Sequence, residues 1–230
     1  MRCITPSLAP FALPDTVSRR IMLTGLAVTG VCAVSQPGTT QVKTLTRRGT
    51  PHLMPGPFYP LNRSADEDAD LTRIAGRTGQ ASGTIIDLIG QVLDVRGGIV
   101  PNAMIRMWQA NSMGRYHHPK DPGGAPIDPG FQGAAILRTN QAGRYRVRTV
   151  IPGPYAGRLR HIHFDVRGRK QRLVTQMFFP GEPNERDFLY RSLRSHALQA
   201  AVTAKSARRR LEAGVPTFIW DIVFAGESSS

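Results

Sequence analysis

The sequence predicts an all-β protein: a β-sandwich with long active-site loops and a short helical excursion late in the chain. Three observations carry that reading. At least six short runs rich in Val, Ile, Leu, Phe and Tyr recur between turn residues from Gly83 to Phe224. Glycine and proline are plentiful, 23 and 18 residues in 230, which suits a loop-rich β fold better than a helical bundle. Only residues 184–213 have an Ala- and Arg-rich helical look. Successive strands with one late helical piece argue for two packed sheets.

Residues 1–35 stand outside this fold. Ser18-Arg19-Arg20-Ile21-Met22-Leu23 resembles a twin-arginine export signal, with Met22 where that signal commonly has Phe. The apolar run from Ile21 to Val34, softened by Gly25 and Gly30, is too short for a permanent membrane span. Ala33-Val34-Ser35 supplies small residues for cleavage before Gln36, so the expectation is a periplasmic or secreted protein. Cys3 and Cys32 both fall in the removed part, and the remainder can form no disulfide. Residues 36–52 are polar, basic and without period, and read as a linker.

Residues 53–82 read as an extended arm. Pro55-Gly56-Pro57-Phe58-Tyr59-Pro60 excludes helix and central strand, because each proline fixes φ and removes a donor. Its two aromatics favour packing on the body, and residues 63–70 form an acidic loop. The body, residues 83–226, opens with a strand over 84–93 that ends at a Gly-rich turn over 94–98. A second strand covers 104–108. The loop over 111–130 carries Tyr116, His117 and His118, and loops this long in a compact domain are commonly functional. Residues 136–139 and 144–150, joined by Asn140-Gln141-Ala142-Gly143, read as a hairpin whose packed face is Tyr145, Val147 and Thr149. Residues 173–179 form another strand. The stretch 217–224 closes the sheet as one strand, with Phe218, Trp220, Ile222 and Phe224 on one side, and 227–230 is a tail.

The chain is strongly basic, with 30 Lys and Arg against 16 Asp and Glu, or +14. Nucleic acid, an acidic surface or an acidic partner subunit each match such a charge. The basic residues are scattered, however, with only Arg208, Arg209 and Arg210 in a run, and no finger, helix-turn-helix or aromatic RNA-binding motif is present. Nucleic acid is therefore not an expected partner.

Residues 155–164 read Y-A-G-R-L-R-H-I-H-F. His161 and His163 alternate with Ile162, Phe164 and Val166, as in a strand whose residues i and i+2 leave one face about 6.7 Å apart. A bare H-x-H pair is more readily two exposed histidines than two metal ligands. Two tyrosines shift the reading: Tyr155 in a tight P-G-P-Y turn, and Tyr116 in the long loop. Phenolates are hard anionic donors. Two of them beside two imidazoles favour a trivalent, oxygen-loving ion, ferric iron first, over zinc or copper(I).

With these motifs in this order, the sequence resembles the intradiol ring-cleaving dioxygenases, particularly their protocatechuate branch, over roughly residues 53–225. The resemblance implies non-haem Fe(III) held by Tyr116, Tyr155, His161 and His163. It also implies a small catecholic substrate, O2, and ring opening to a cis,cis-muconate-type diacid, with the ion as Lewis acid and template. Tyr155 would also take up a catechol proton. Arg158, three residues before His161, would stabilise charge on the reacting ring; the family has R-P-A-H-I-H where this chain has R-L-R-H-I-H, and a plain ion pair is the other account. Gln176, in L-V-T-Q-M-F-F, matches a glutamine near the iron or is an edge-strand amide. Tyr59, in G-P-F-Y-P, lines the substrate pocket or merely packs. Phe178 stands where a Tyr often occurs. His117 and His118 match no ligand position and read as exposed loop residues, and Trp108 reads as packing. A homo- or hetero-oligomer stays open. The alternatives are a non-catalytic sandwich subunit of the same family, opposed by the presence of all four ligand positions, and a zinc hydrolase, opposed by the tyrosines.

Overall fold

The computed structural model describes residues 46–61 and 68–225. The export segment, most of the linker, residues 63–67 of the acidic loop and the tail lie outside the described residues. In chain order the elements are β1 (Ile85–Asp94), β2 (Met104–Trp108), β3 (Ala134–Arg138), β4 (Arg144–Val150), β5 (His161–Arg167), β6 (Arg172–Phe178), α1 (Phe188–Ser192), α2 (His196–Val202), β7 (Lys205–Ser206), β8 (Thr217–Ile219) and β9 (Ile222–Phe224). One sheet runs β4-β1-β8-β7, with β9 also pairing β1; the other runs β3-β2-β5-β6. No helix among the described residues is long and apolar enough to cross a membrane.

The two sheets share one core. Ile86, Leu88 and Val92 of β1 and Tyr145 and Val147 of β4 meet Ile105 and Met107 of β2 and Ile162, Phe164 and Val166 of β5. Burying one such side chain stabilises by about 1.5–3 kcal/mol, so the register of β5 is strongly held. A slip of one residue would exchange Phe164 for His163. The alternation therefore sends His161, His163 and Asp165 out of the opposite face. All three are nonetheless 1–2% exposed, because the amino-terminal arm lies over that face.

The arm is packed from well before Pro55. Arg47 N donates to Val95 O at 2.6 Å, within the stretch read as linker, and Thr50 N to Val223 O at 2.8 Å. Leu53 N donates to Val174 O at 2.9 Å, and the Leu53 side chain is buried with Phe178, Leu193 and Val202.

Three expectations are corrected. β3 and β4 are not a hairpin: β3 pairs β2 and β4 pairs β1, so the turn at Asn140 to Gly143 hands the chain from one sheet to the other. The turn itself is made, with Gly143 N on Asn140 O at 2.9 Å. A turn sequence specifies a change of direction and leaves the partner strand open.

Residues 217–224 are two strands, both parallel to β1. Between them Trp220 donates its N–H to Ile89 O, accepts from Tyr145 Oη at 2.7 Å and donates Nε1–H to Ala201 O at 3.0 Å. Gly90 permits this approach, since a Cβ there would lie 1.8 Å from Trp220 O.

The helix expected over 184–213 is only a 3-10 turn followed by α1 and α2, which hold five and seven residues. Asp187 and Ser195 accept backbone N–H groups and so start new helices within the run. Ala204 N then pairs with Phe178 O at 2.9 Å.

Candidate metal centre

Three pieces of chain deliver the donors. β5 presents His161 and His163 from one face, and the loop after β2 brings Tyr116 beneath them. Tyr155 comes from a two-residue turn in which Tyr155 N donates to Arg158 O at 3.2 Å and Arg158 N to Tyr155 O at 2.7 Å. Ala156 and Gly157 have φ of 44° and 75°, as a mirror-image turn between twisted strands requires. The alanine bears a cost of about 1 kcal/mol for that conformation.

The four donor atoms converge. His161 Nε2 lies 3.1 Å from His163 Nε2, His163 Nε2 lies 3.1 Å from Tyr116 Oη, and Tyr155 Oη lies 3.3 Å from His161 Nε2. His161 Nδ1 lies 2.6 Å from Leu159 O. A carbonyl only accepts, so Nδ1 carries the proton and Nε2 turns its lone pair to the cluster. Burial, then the charge of Arg158, pushes His161 down to about 4. Burial, with His161 and Arg158 behind it, holds His163 well below the ordinary imidazole range. Both imidazoles are therefore neutral near pH 7. Burial raises both phenols, Tyr116 well above the ordinary phenol value.

This donor set fits a trivalent ion. Donors that share one metal at about 2 Å, roughly a right angle apart, lie about 3 Å from one another. Two neutral imidazoles need lose no proton to bind. The two phenols give theirs up only to a strong local positive charge, which a ferric ion supplies. Among the described residues no group of three or more His, Cys, Asp or Glu could hold a metal ion, so a metal here depends on the tyrosines.

Arg158 stands beside the cluster, 8% exposed. Its Nε donates to Asp187 Oδ2 at 2.8 Å and its Nη2 to Gln176 Oε1 at 2.7 Å. Gln176 lies opposite His163 in the β5–β6 ladder and donates Nε2–H to Met54 O at 2.8 Å. Both ends of its amide are thus engaged within the protein, and it braces Arg158 against the arm.

A dioxygenase family model matches residues 54–226. The chain belongs to the intradiol ring-cleavage dioxygenase family. The beta chain of protocatechuate 3,4-dioxygenase from Burkholderia cepacia is 43% identical over 136 residues, 55% of this chain and 58% of that one. A catechol 1,2-dioxygenase from Acinetobacter baylyi is 31% identical over 161 residues, 61% of this chain and 50% of that one. The chain thus spans between half and three-fifths of the length of these curated relatives. Among solved structures, the dioxygenase domain of a carbohydrate-binding fusion from Streptomyces sp. SirexAA-E is similar at TM-score 0.54 and 25% identity, covering 77% of this chain and 99% of that one.

Within this intradiol dioxygenase fold, the remaining residues singled out in the sequence take definite places, and only His118 departs from its expectation. The Tyr59 hydroxyl donates to Asp165 Oδ2 at 2.8 Å, and its ring packs edge-on against Trp108. Tyr59 therefore pins the arm. The arm aromatic that faces the donors is Phe58, with ring centroids 4.7 Å from Tyr116 and 5.8 Å from Tyr155. Gly56, at φ 72°, passes so close that a Cβ would lie 3.3 Å from His163 Cε1.

Trp108 does pack, and specifically: it stacks on His163 at 4.9 Å and 8°. That contact was readable, since alternation puts Trp108 on the outer face with Arg106. His117 is exposed as expected, whereas His118 is buried, its Nδ1 accepting from Lys120 N at 3.1 Å. Phe178 pairs with His161 across the ladder, rings 5.9 Å apart. Asp187, which carries no motif of its own, was missed.

Proposed function

We propose that this chain is a non-haem Fe(III) intradiol dioxygenase that opens the ring of a catechol-type, protocatechuate-like aromatic with O2 to give a cis,cis-muconate-type diacid. The observation that supports this most is the meeting of two phenol oxygens and two imidazole nitrogens at mutual distances near 3 Å. Tyr116, Tyr155, His161 and His163 would hold the iron, which when bound supplies Lewis acidity toward a chelated catechol.

The chain's own residues do the rest. Tyr155 is half-buried on a tight turn while Tyr116 is 3% exposed, so Tyr155 is the phenol placed to take a proton from an incoming catechol hydroxyl. Arg158 offers a fixed guanidinium to negative charge that grows on the ring as it reacts. Phe58 and the glycine at 56 close the arm over the donors and keep water off them. An oligomer, with identical or different subunits, belongs to the same proposal, as does export through Arg19 and Arg20. Replacing both arginines by Lys should retain a folded protein in the cytoplasm; its normal appearance outside the inner membrane would remove the export reading.

Oxygen uptake by iron-loaded protein over catechol, protocatechuate, hydroxyquinol and halocatechols tests the activity. Uptake with one diacid formed per O2 is expected for at least one of them. No uptake with any, in protein that holds iron, would contradict the reading.

A further inference from the structure

The Arg158 guanidinium is fixed on three sides, and two of the three contacts come from adjacent residues at the start of α1. Asp187 Oδ2 accepts from Arg158 Nε at 2.8 Å and from Leu159 N at 3.1 Å, while Oδ1 accepts from Leu189 N at 3.0 Å and Tyr190 N at 3.3 Å. One carboxylate, 0% exposed, thus starts α1 and grips the arginine. Burial alone would raise it, but the Arg158 hydrogen bond and charge outweigh burial and hold it below the ordinary carboxylate value. Phe188 lays its ring against the guanidinium, with Cζ 5.1 Å from the ring centroid, and yet is 51% exposed. A half-exposed phenylalanine contributes little to a core, so its contact with the arginine is the feature that calls for an account. The same guanidinium lies close enough to act on all four donor side chains through its charge.

We propose that Asp187 and Phe188 are positioning residues for ring cleavage: carboxylate edge and aromatic face hold the Arg158 guanidinium in one plane beside the donors. This rests on the catalytic reading above and extends it to two residues outside the four donors that act through Arg158. A guanidinium set in advance helps only where charge develops in the transition state, so the effect falls on turnover and not on catechol binding.

Substitutions at these two positions, with a control at a third, separate this role from a structural one. Asp187→Asn can still start α1 through its carbonyl oxygen but then turns an NH2 group toward Arg158 Nε–H. Phe188→Leu keeps an apolar side chain and loses the π-face, whereas Phe188→Tyr keeps both. Ser195→Ala, which removes the cap of α2 and has no link to Arg158, serves as the control for helix stability alone.

The readouts are kcat for the best substrate in the panel, the Kd for the same catechol without oxygen, and the melting temperature. Phe188→Leu is expected to lower kcat about two- to fivefold, the scale of one exposed cation–π contact, with Kd and melting temperature near the parent's and Phe188→Tyr restoring kcat. Asp187→Asn is expected to lower kcat by about tenfold to a hundredfold, the scale for a catalytic group displaced by an ångström, with Kd within about twofold. Ser195→Ala should lower the melting temperature alone. Parent-like kcat in Phe188→Leu, equal losses in the leucine and tyrosine variants, or a loss of affinity matching the loss of turnover would each overturn the proposal. An inactive parent would overturn the catalytic reading and this role together; an active parent with the wrong variant pattern overturns this role alone.

Discussion

Arg158 and Arg160 differ in what they touch, and that decides what each can do. Arg158 is held between Asp187 and Gln176 beside the donors, while the half-exposed Arg160 reaches Glu182 at 3.6 Å. Arg158→Ala is expected to retain iron and catechol binding and to slow ring cleavage by roughly a hundredfold; Arg160→Ala should stay within about twofold in steady-state oxygen uptake. His161→Ala is expected to lower iron content, checked by metal analysis, since it removes a donor whose lone pair is aimed at the cluster by Leu159 O. That these four side chains meet was legible in part: His161 and His163 lie on a strand of clear alternation and Tyr155 in a turn motif, whereas Tyr116, in a long loop, was placed by the family resemblance. The arm was less so. In a run of prolines no period tells which way a ring points, and only the structure turns Phe58 toward the donors and Tyr59 toward Asp165.

Among the elements, β5 was read closely because it alternates against a single core, and β1 because its Ile-, Leu- and Val-rich run ends at a Gly-rich turn. The strand pairing was not: residues 136–150 look like a hairpin locally, and only the partners β1 and β2 separate the two halves. The break at Trp220 was equally hidden, since its cause lies at Gly90, 130 residues earlier. That contact gives a test. Gly90→Ala should destabilise the fold by about 1–3 kcal/mol, the range for overpacking a filled site, measured by denaturant unfolding. Unchanged stability would mean that the Trp220 carbonyl does not pass Gly90 as closely as described. The run 184–213 misled because its Ala- and Arg-rich composition favours helix, whereas Asp187 and Ser195 restart it and Ala204 pairs with β6.

At the scale of the whole molecule, basic charge and buried carboxylates set the response to pH. Burial alone would raise Asp87 and Asp165, but Arg148 and Arg146 around the first, and Arg172 and the Tyr59 hydroxyl around the second, outweigh it and hold both below the ordinary carboxylate value. A carboxyl depressed in the folded state adds stability that is fully present above its unfolded pKa and fades as pH falls toward the folded one. The melting temperature should therefore drop on acidification below about pH 5, and Asp87→Asn should be less stable at pH 7 with a shallower fall, both read by circular dichroism. The central claim is that two tyrosines and two histidines of this chain hold ferric iron. It is tested most directly by the visible absorption spectrum of the purified, iron-loaded protein and of Tyr155→Phe. The account predicts a red-brown protein with a tyrosinate-to-iron charge-transfer band that shifts or weakens in the variant. A colourless iron-loaded protein, or a band identical in Tyr155→Phe, would contradict it.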